Sequence, residues 1–122
     1  MTRLDKLRAS LGGRLLVTNL TNIRYLTGFD ASNAALLVDP KGPTRLYTDF
    51  RYFQAAQAVP GVEAEQTARA LLADLSTRLS GRLGFEADEL PYSQVEVLRS
   101  GKLQLTPVSG AVEATRAVKG EE

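Results

Sequence analysis

The 122-residue sequence contains no cysteine and no histidine. Without thiols the chain can form neither disulfides nor thiolate zinc sites. Without imidazole, Ser-His-Asp catalysis, Cys-His catalysis and metal ligation by histidine are excluded. The groups left for chemistry are carboxylates, amines, guanidinium groups and hydroxyls, which still allow a carboxylate-only Mg²⁺ site.

Strong net charge and long apolar runs are also missing. Lys and Arg number 15 against 14 Asp and Glu, so no long-range field attracts nucleic acid or acidic membranes. No apolar run is long enough to cross a bilayer, and residues 1–10 lack the hydrophobic region of a signal peptide. We therefore predict a single cytoplasmic domain with no nucleic-acid or membrane partner.

The first half of the sequence predicts two helices, a short strand and a β-hairpin. Thr2 and Asp5 have the spacing of a capping box for the first helix. Thr21 is the predicted cap of the second helix, which Gly28 ends. A turn over residues 39–42 joins the hairpin strands. The predicted strand ranges are 14–18, 33–39 and 44–48.

The second half predicts helices that alternate with strands. The predicted helices cover 49–58, 67–79 and a segment that starts at Pro91, and the predicted strands cover 62–65, 82–86 and 103–108. Asp74 and Arg78 have the spacing of an ion pair across one helical turn, while Tyr92, Val95 and Leu98 are expected to face inward. Alternation favours parallel pairing and the hairpin requires antiparallel pairing. The expected fold class is α/β, a mixed sheet of about five or six strands with a hairpin and helices on both faces.

Three sequence motifs together resemble a known family. Residues 22–29 read NIRYLTGF, residues 33–52 read NAALLVDPKGPTRLYTDFRY, and residues 116–122 read RAVKGEE. Their order and spacing resemble the amino-terminal domain of the prolidase, Xaa-Pro aminopeptidase and creatinase superfamily. The matching positions are Tyr25, Leu26, Thr27, Gly28 and Phe29 in the first motif, and Thr48, Asp49, Arg51 and Tyr52 in the second.

This resemblance implies an RNase H-like three-layer sandwich over residues 1–112. It also implies a junction over residues 113–122 to a carboxy-terminal pita-bread metallopeptidase domain, so that the chain is one part of a longer enzyme. Such enzymes use two divalent ions, often Mn²⁺, Co²⁺ or Zn²⁺, to cleave the peptide bond before proline in short peptides. The resemblance places these ions in the second domain, so this chain is expected to hold no metal, cofactor or catalytic residue.

The resemblance further implies a homodimer whose amino-terminal domains cover the active sites and limit substrate length. Candidate substrate-binding residues in this chain are Phe29, Arg51 and Tyr52. Phe29 lies past the Gly28 stop on a predicted loop, where it either touches a ligand or fills the core. Arg51 has the planar fork that binds a substrate carboxylate. Its structural alternative is an ion pair, with Asp49 capping the next helix and Tyr52 half-buried.

Other functions stay open at this stage. An RNase H-like fold suggests Mg²⁺ nuclease chemistry, but the early strands carry few acidic residues and the balanced charge gives no basic groove. A stand-alone interaction or ligand-binding domain is the alternative from another class, and the length of the reading frame past Glu122 separates the two. A creatinase-like reaction of the longer enzyme is a further alternative.

Overall fold

The computed structural model describes residues 2–120, with the side chains of the last helix described as far as Arg116. Over this range the chain forms six helices and six strands. In chain order they are α1 (Arg3–Ser10), β1 (Leu15–Val17), α2 (Leu20–Thr27), β2 (Ala34–Val38), β3 (Arg45–Asp49), α3 (Phe53–Gln57), β4 (Glu63–Thr67), α4 (Leu71–Arg78), β5 (Ser80–Glu86), α5 (Tyr92–Arg99), β6 (Lys102–Val108) and α6 (Ala111–Gly120).

The six strands form one mixed sheet in the order β4-β3-β2-β1-β5-β6. Strand β2 pairs antiparallel with β1 and β3, and the β2–β3 pair is the predicted hairpin. The pairs β3–β4, β1–β5 and β5–β6 are parallel. The predicted α/β class with a mixed sheet is confirmed.

Helices cover both faces of the sheet, because neighbouring strand residues point to opposite sides. In β1, Leu15 and Val17 join one core cluster, which α1, α2, α3 and α6 cover. Leu16 points to the other face and joins the cluster under α4 and α5. The result is the expected arrangement of three layers, helices on a sheet on helices.

The caps of the first two helices show one correct and one wrong prediction. The capping box forms as predicted, since Asp5 N donates to Thr2 Oγ1 at 3.1 Å and Thr2 N donates to Asp5 Oδ2 at 3.1 Å. The predicted cap at Thr21 is wrong, because Asn19 Oδ1 accepts from the Asn22 amide at 2.9 Å and α2 begins one residue earlier. Asn is among the best N-cap residues, whereas Thr21 lies inside the first turn.

Two predicted helix starts are wrong because strand pairing continues through them. The helix predicted over 49–58 is α3, which begins only at Phe53, and its N-cap is Tyr52 without a side-chain hydrogen bond. Asp49 and Thr67 are instead paired across β3 and β4. The helix predicted from residue 67 therefore begins at Leu71 as α4. Tertiary pairing decides such ends over local propensity.

Helix α5 contains a further correction. Val95 and Leu98 are buried as predicted, but Tyr92 is 73% exposed, so its predicted inward position is wrong. Side chains of a helix tilt toward its amino terminus, so a side chain in the first turn points beyond the end of the core. Helix α6 runs through the predicted boundary between residues 112 and 113. Glu121 and Glu122 of the predicted junction lie outside the described residues.

Candidate functional site

The site lies at the carboxyl ends of the parallel strands β1, β3 and β5. Asp49 ends β3 with its side chain buried, and Arg51 follows two residues later. Arg51 Nε donates to Asp49 Oδ1 at 3.0 Å, and Nη2 donates to Oδ2 at 2.8 Å. The Arg51 backbone amide also donates to Oδ1, at 2.9 Å. This bidentate pair is the ion pair that sequence reasoning proposed for Arg51.

Asn33, at the start of β2, completes the surroundings of the Asp49 carboxylate. Its Nδ2 donates to Asp49 Oδ2 at 2.8 Å and to the Arg69 carbonyl at 3.0 Å. The hydrogen bonds from Arg51 hold the pKa of Asp49 well below its usual range, and the bond from Asn33 adds to this effect. Asp49 is therefore an anion that holds Asn33 and Arg51, and Asn33 in turn contacts the loop before α4. The sequence had suggested that Asp49 caps α3, but the N-cap of that helix is Tyr52.

Tyr52 lies beside this pair. Its hydroxyl is 2.6 Å from Ser32 Oγ, and the Arg51 guanidinium carbon is 5.2 Å from the centroid of its ring. The half-buried position and satisfied hydroxyl of Tyr52 agree with its predicted structural role. Arg51 keeps 36% of its side chain exposed. The substrate contacts of Arg51 and Tyr52 stay a prediction.

Phe29 follows the cap of α2. Gly28 adopts a φ of +79°, the left-handed conformation that lets the chain turn there. Phe29 is then buried in the core cluster with Leu26 and Ala34. This is the core-filling position considered above, and a substrate contact by Phe29 stays a prediction.

An open cavity of about 460 Å³ adjoins the Asp49 cluster. Ser32 and Asn33 line one part of it, and the first residues of α4 line another together with Gln94 and Val97 of α5. Arg69 and Glu89 place one charge of each sign among its lining residues. The cavity has the size of a small-molecule site, and its walls combine polar loop groups with apolar helix ends.

Sequence reasoning missed a second polar cluster, at the end of β5. Glu86 is only 6% exposed and lies within hydrogen-bonding distance of Asn22, whose amide also contacts Glu113 and Arg116. Burial raises the pKa of Glu86, against the effect of the hydrogen bonds it accepts, and nearby Glu113 raises it further. Two sequence signals could have indicated this cluster. Asn22 belongs to the first family motif, and Arg116 begins the last one.

Neither cluster brings together a set of metal ligands. Within residues 2–120, no three Asp or Glu side chains are close enough together to hold a metal ion. The carboxylates of Asp49 and Glu86 instead accept hydrogen bonds from protein groups. The described helices also include none with the length and hydrophobicity of a membrane span.

The protein is a three-layer α/β domain, as its strand order and its two helical layers define it. Its motifs, at α2 and after β3, are the ones that resemble a known family. Residues 3–118 match the family model described as Creatinase/Prolidase N-terminal domain. The chain belongs to this family.

Named relatives agree with this assignment. The chain is 32% identical, over 131 aligned positions, to the uncharacterized peptidase YqhT of Bacillus subtilis, and the match covers 98% of the chain. The crystal structure of the N-terminal domain of the cytoplasmic peptidase PepQ from Mycobacterium tuberculosis superposes with a TM-score of 0.81 at 35% identity. That match covers 93% of this chain and 98% of the other. The Xaa-Pro dipeptidase from Bacillus anthracis superposes with a TM-score of 0.82 at 28% identity over 93% of this chain.

The longer relatives extend well beyond the matched region. The chain spans 37% of the length of the Bacillus subtilis peptidase and 35% of the Bacillus anthracis dipeptidase. Domains of this family therefore occur within peptidases of about three times this length.

Proposed function

We propose that this chain is the non-catalytic amino-terminal domain of a metal-dependent Xaa-Pro dipeptidase or aminopeptidase located in the cytoplasm. The observation that carries the proposal is the family match over residues 3–118, together with relatives described as peptidases of this specificity. The domain covers the active site of a carboxy-terminal catalytic domain, supports a homodimer and limits the substrate to short proline-containing peptides.

The chemistry belongs to the catalytic domain in this proposal. The catalytic domain would hold two divalent ions, Mn²⁺, Co²⁺ or Zn²⁺, which would supply Lewis-acid chemistry for hydrolysis of the bond before proline. The described residues of this chain do not suit these ions, because no three of their carboxylates lie close together and the two buried ones at the sheet edge accept hydrogen bonds from protein groups. The domain contributes shape and substrate contacts.

The carboxyl edge of the sheet is the surface best suited to the covering role. Three large hydrophobic side chains are exposed on the chain segments that follow β1, β3 and β5, namely Leu20, Phe50 and Tyr92. The open cavity and the exposed part of Arg51 lie at the same edge. Apolar groups next to a fixed cation suit a surface that closes over a peptide, since the peptide offers a proline ring and a terminal carboxylate.

The activity is tested on two proteins, the longer protein that contains this sequence and the 122-residue chain alone. The longer protein, loaded with Mn²⁺ or Co²⁺, is expected to hydrolyse Xaa-Pro dipeptides and to lose this activity with a chelator. The matched dipeptide without proline and creatine serve as control substrates. Turnover of Xaa-Pro peptides by the purified 122-residue chain above background would contradict the proposal, as would preferential hydrolysis of creatine by the longer protein.

The proposed role of Arg51 is to bind the carboxylate of the substrate. In the longer protein, Arg51→Met is expected to raise KM about tenfold for a dipeptide with a free carboxylate, because a charged hydrogen bond is lost. The same dipeptide as its amide should be affected much less. Because both substrates are measured on one enzyme preparation, the comparison is unaffected by any unfolded protein that results from leaving Asp49 without its partner.

Arg45→Met serves as the matched control. It removes the arginine that pairs with Glu65 at 3.1 Å at the other end of β3 and leaves the Arg51–Asp49 pair in place. The ratio of the two KM values should then stay near that of the parent. An equal change of KM for the acid and the amide in Arg51→Met would show that Arg51 has a structural role only.

A further inference from the structure

The side chain of Asn22, in α2, lies at the centre of a polar cluster that joins three elements. It is only 2% exposed. Its Nδ2 donates to Glu86 Oε2 at 2.7 Å and to Glu113 Oε2 at 2.9 Å. Its Oδ1 accepts from Arg116 Nη2 at 2.8 Å. The amide nitrogen of Asn22 thus donates to β5 and to α6, and its oxygen accepts from α6.

Glu86 anchors this cluster to the sheet. Its Oε1 accepts from the Thr18 amide at 2.8 Å and from the Asn19 amide at 2.9 Å. These two amides belong to the connection between β1 and α2. The carboxylate at the end of β5 therefore holds the start of α2, while its second oxygen holds Asn22.

Arg116 extends the cluster to an aromatic ring. Its guanidinium carbon lies 4.5 Å from the centroid of Tyr25, one turn after Asn22 on α2. The guanidinium carbon of Arg3, in α1, lies 4.3 Å from the same centroid, and Arg3 Nη1 donates to the Tyr25 carbonyl at 3.0 Å. Cation–π contacts of this kind favour a fixed position of the cations over the ring. One residue of α2 thus contacts both α1 and α6.

Over residues 111–116, the part of α6 whose side chains are described, apolar packing gives the helix little support. Among its described side chains, residues 111–116, Val112 is the buried one and Ala111 is half-buried. Isolated helices of ten residues are unstable in water and depend on tertiary contacts. The polar contacts of Glu113 and Arg116 are therefore a large part of what holds residues 111–116 against the domain.

We propose that Asn22, Tyr25, Glu86, Glu113 and Arg116 form a latch that fixes the direction of α6, with Asn22 as its central positioning residue. This assignment explains why two motifs 94 positions apart contain residues that hydrogen-bond to each other. The family model describes the matched region as an N-terminal domain, and the match covers 35% of the Bacillus anthracis dipeptidase. A fixed α6 therefore sets the direction in which the polypeptide leaves this domain.

The latch is tested by amide hydrogen exchange on the 122-residue chain, since a relative's amino-terminal domain of matching extent has been crystallised by itself. Asn22→Leu keeps a similar shape and removes the donors and the acceptor. Exchange over residues 111–120 should then accelerate about tenfold more than exchange in β2, because several charge-assisted hydrogen bonds are lost together.

Two controls separate a local effect from a general loss of stability. Leu98→Ala creates a cavity on the opposite face of the sheet and should accelerate exchange in α6 and in β2 alike. Thr21→Ala changes an exposed residue on α2 and should leave α6 unchanged.

A second variant keeps the test decisive if Asn22→Leu does not fold. Arg116→Met removes the hydrogen bond to Asn22 and the cation over Tyr25, but retains an apolar stem. It should also accelerate exchange selectively over residues 111–120. The latch is refuted if exchange in α6 changes no more than exchange in β2 in every latch variant that folds.

Discussion

At the scale of single residues, two buried carboxylates at the same edge of the sheet have opposite pKa shifts. The Arg51 guanidinium lowers the pKa of Asp49 through its paired hydrogen bonds. Burial raises the pKa of Glu86, although the backbone amides of Thr18 and Asn19 and the side-chain amide of Asn22 donate hydrogen bonds to it. The two shifts therefore have different main causes, the hydrogen bonds from Arg51 at Asp49 and burial at Glu86.

The sign of each shift determines its effect on stability. The native state binds the Glu86 proton more tightly than the unfolded chain does. The stabilisation from protonated Glu86 is therefore complete below the ordinary glutamate pKa of 4.5 and is lost as the pH rises through the raised value. Asp49 acts in the opposite sense, because its contribution is present above the ordinary aspartate pKa and is lost as the pH falls through the lowered value.

We predict that Glu86→Gln removes one part of this pH dependence. The free energy of unfolding of the parent chain, relative to that of the variant, should decrease as the pH rises from 4.5. Urea denaturation at a series of pH values measures this difference. The neutral side chain is expected to lower stability overall, since its NH₂ group faces the Asn22 amide donor.

Asp88→Asn is the control for this measurement, because Asp88 is an exposed carboxylate two residues after Glu86. Its variant should follow the parent curve over the same pH range. A constant difference between Glu86→Gln and the parent at every pH would contradict the raised pKa of Glu86.

At the scale of elements, the ends of helices are decided by backbone groups that need partners. The amide of Gly28 donates to the Arg24 carbonyl at 2.8 Å and closes α2. The φ of +79° at this position suits glycine, because any other L-residue brings its Cβ too close to the backbone. The buried Phe29 can follow at once because the chain turns so sharply here.

We predict that Gly28→Ala destabilises the chain by about 1–2 kcal/mol, the usual cost of the left-handed conformation for a residue with a side chain. For a domain of this size each kcal/mol lowers the midpoint of thermal unfolding by roughly 4–8 °C. Gly12→Ala is the matched control, since a Cβ at Gly12 meets open space and its φ is not positive. Similar unfolding temperatures for the two variants would contradict this prediction, because a side chain at residue 28 would then carry no cost in conformational free energy.

At the scale of the whole molecule, the domain combines a nearly neutral net charge with exposed apolar groups at one edge of its sheet. Phe50 and Tyr92 are both well exposed there, and Leu20, which is also exposed, lines the open cavity. Long-range attraction does not select a partner for such a surface, so short-range fit decides what binds. This agrees with the proposed partners, a catalytic domain of the same polypeptide, a second subunit and a short peptide.

Much of this architecture could be predicted from the sequence. Apolar periodicity, turn residues and caps predicted the hairpin, the mixed sheet and the core positions of Val95 and Leu98. The motifs predicted the family. The prediction was wrong where a local signal competed with a distant partner, as at Asp49, where pairing with β4 prevents a helix, and at Tyr92, which lies beyond the edge of the core.

The sequence by itself determined the family and the order of elements, because these depend on local spacing and short motifs that need no knowledge of distant contacts. The tertiary structure decided which polar side chains meet. Asn22 and Arg116 are 94 positions apart and become partners only after β5 brings Glu86 beside the start of α2. Pairing across such a separation depends on how the sheet and its two helical layers pack, and periodicity within a single element carries no information about it.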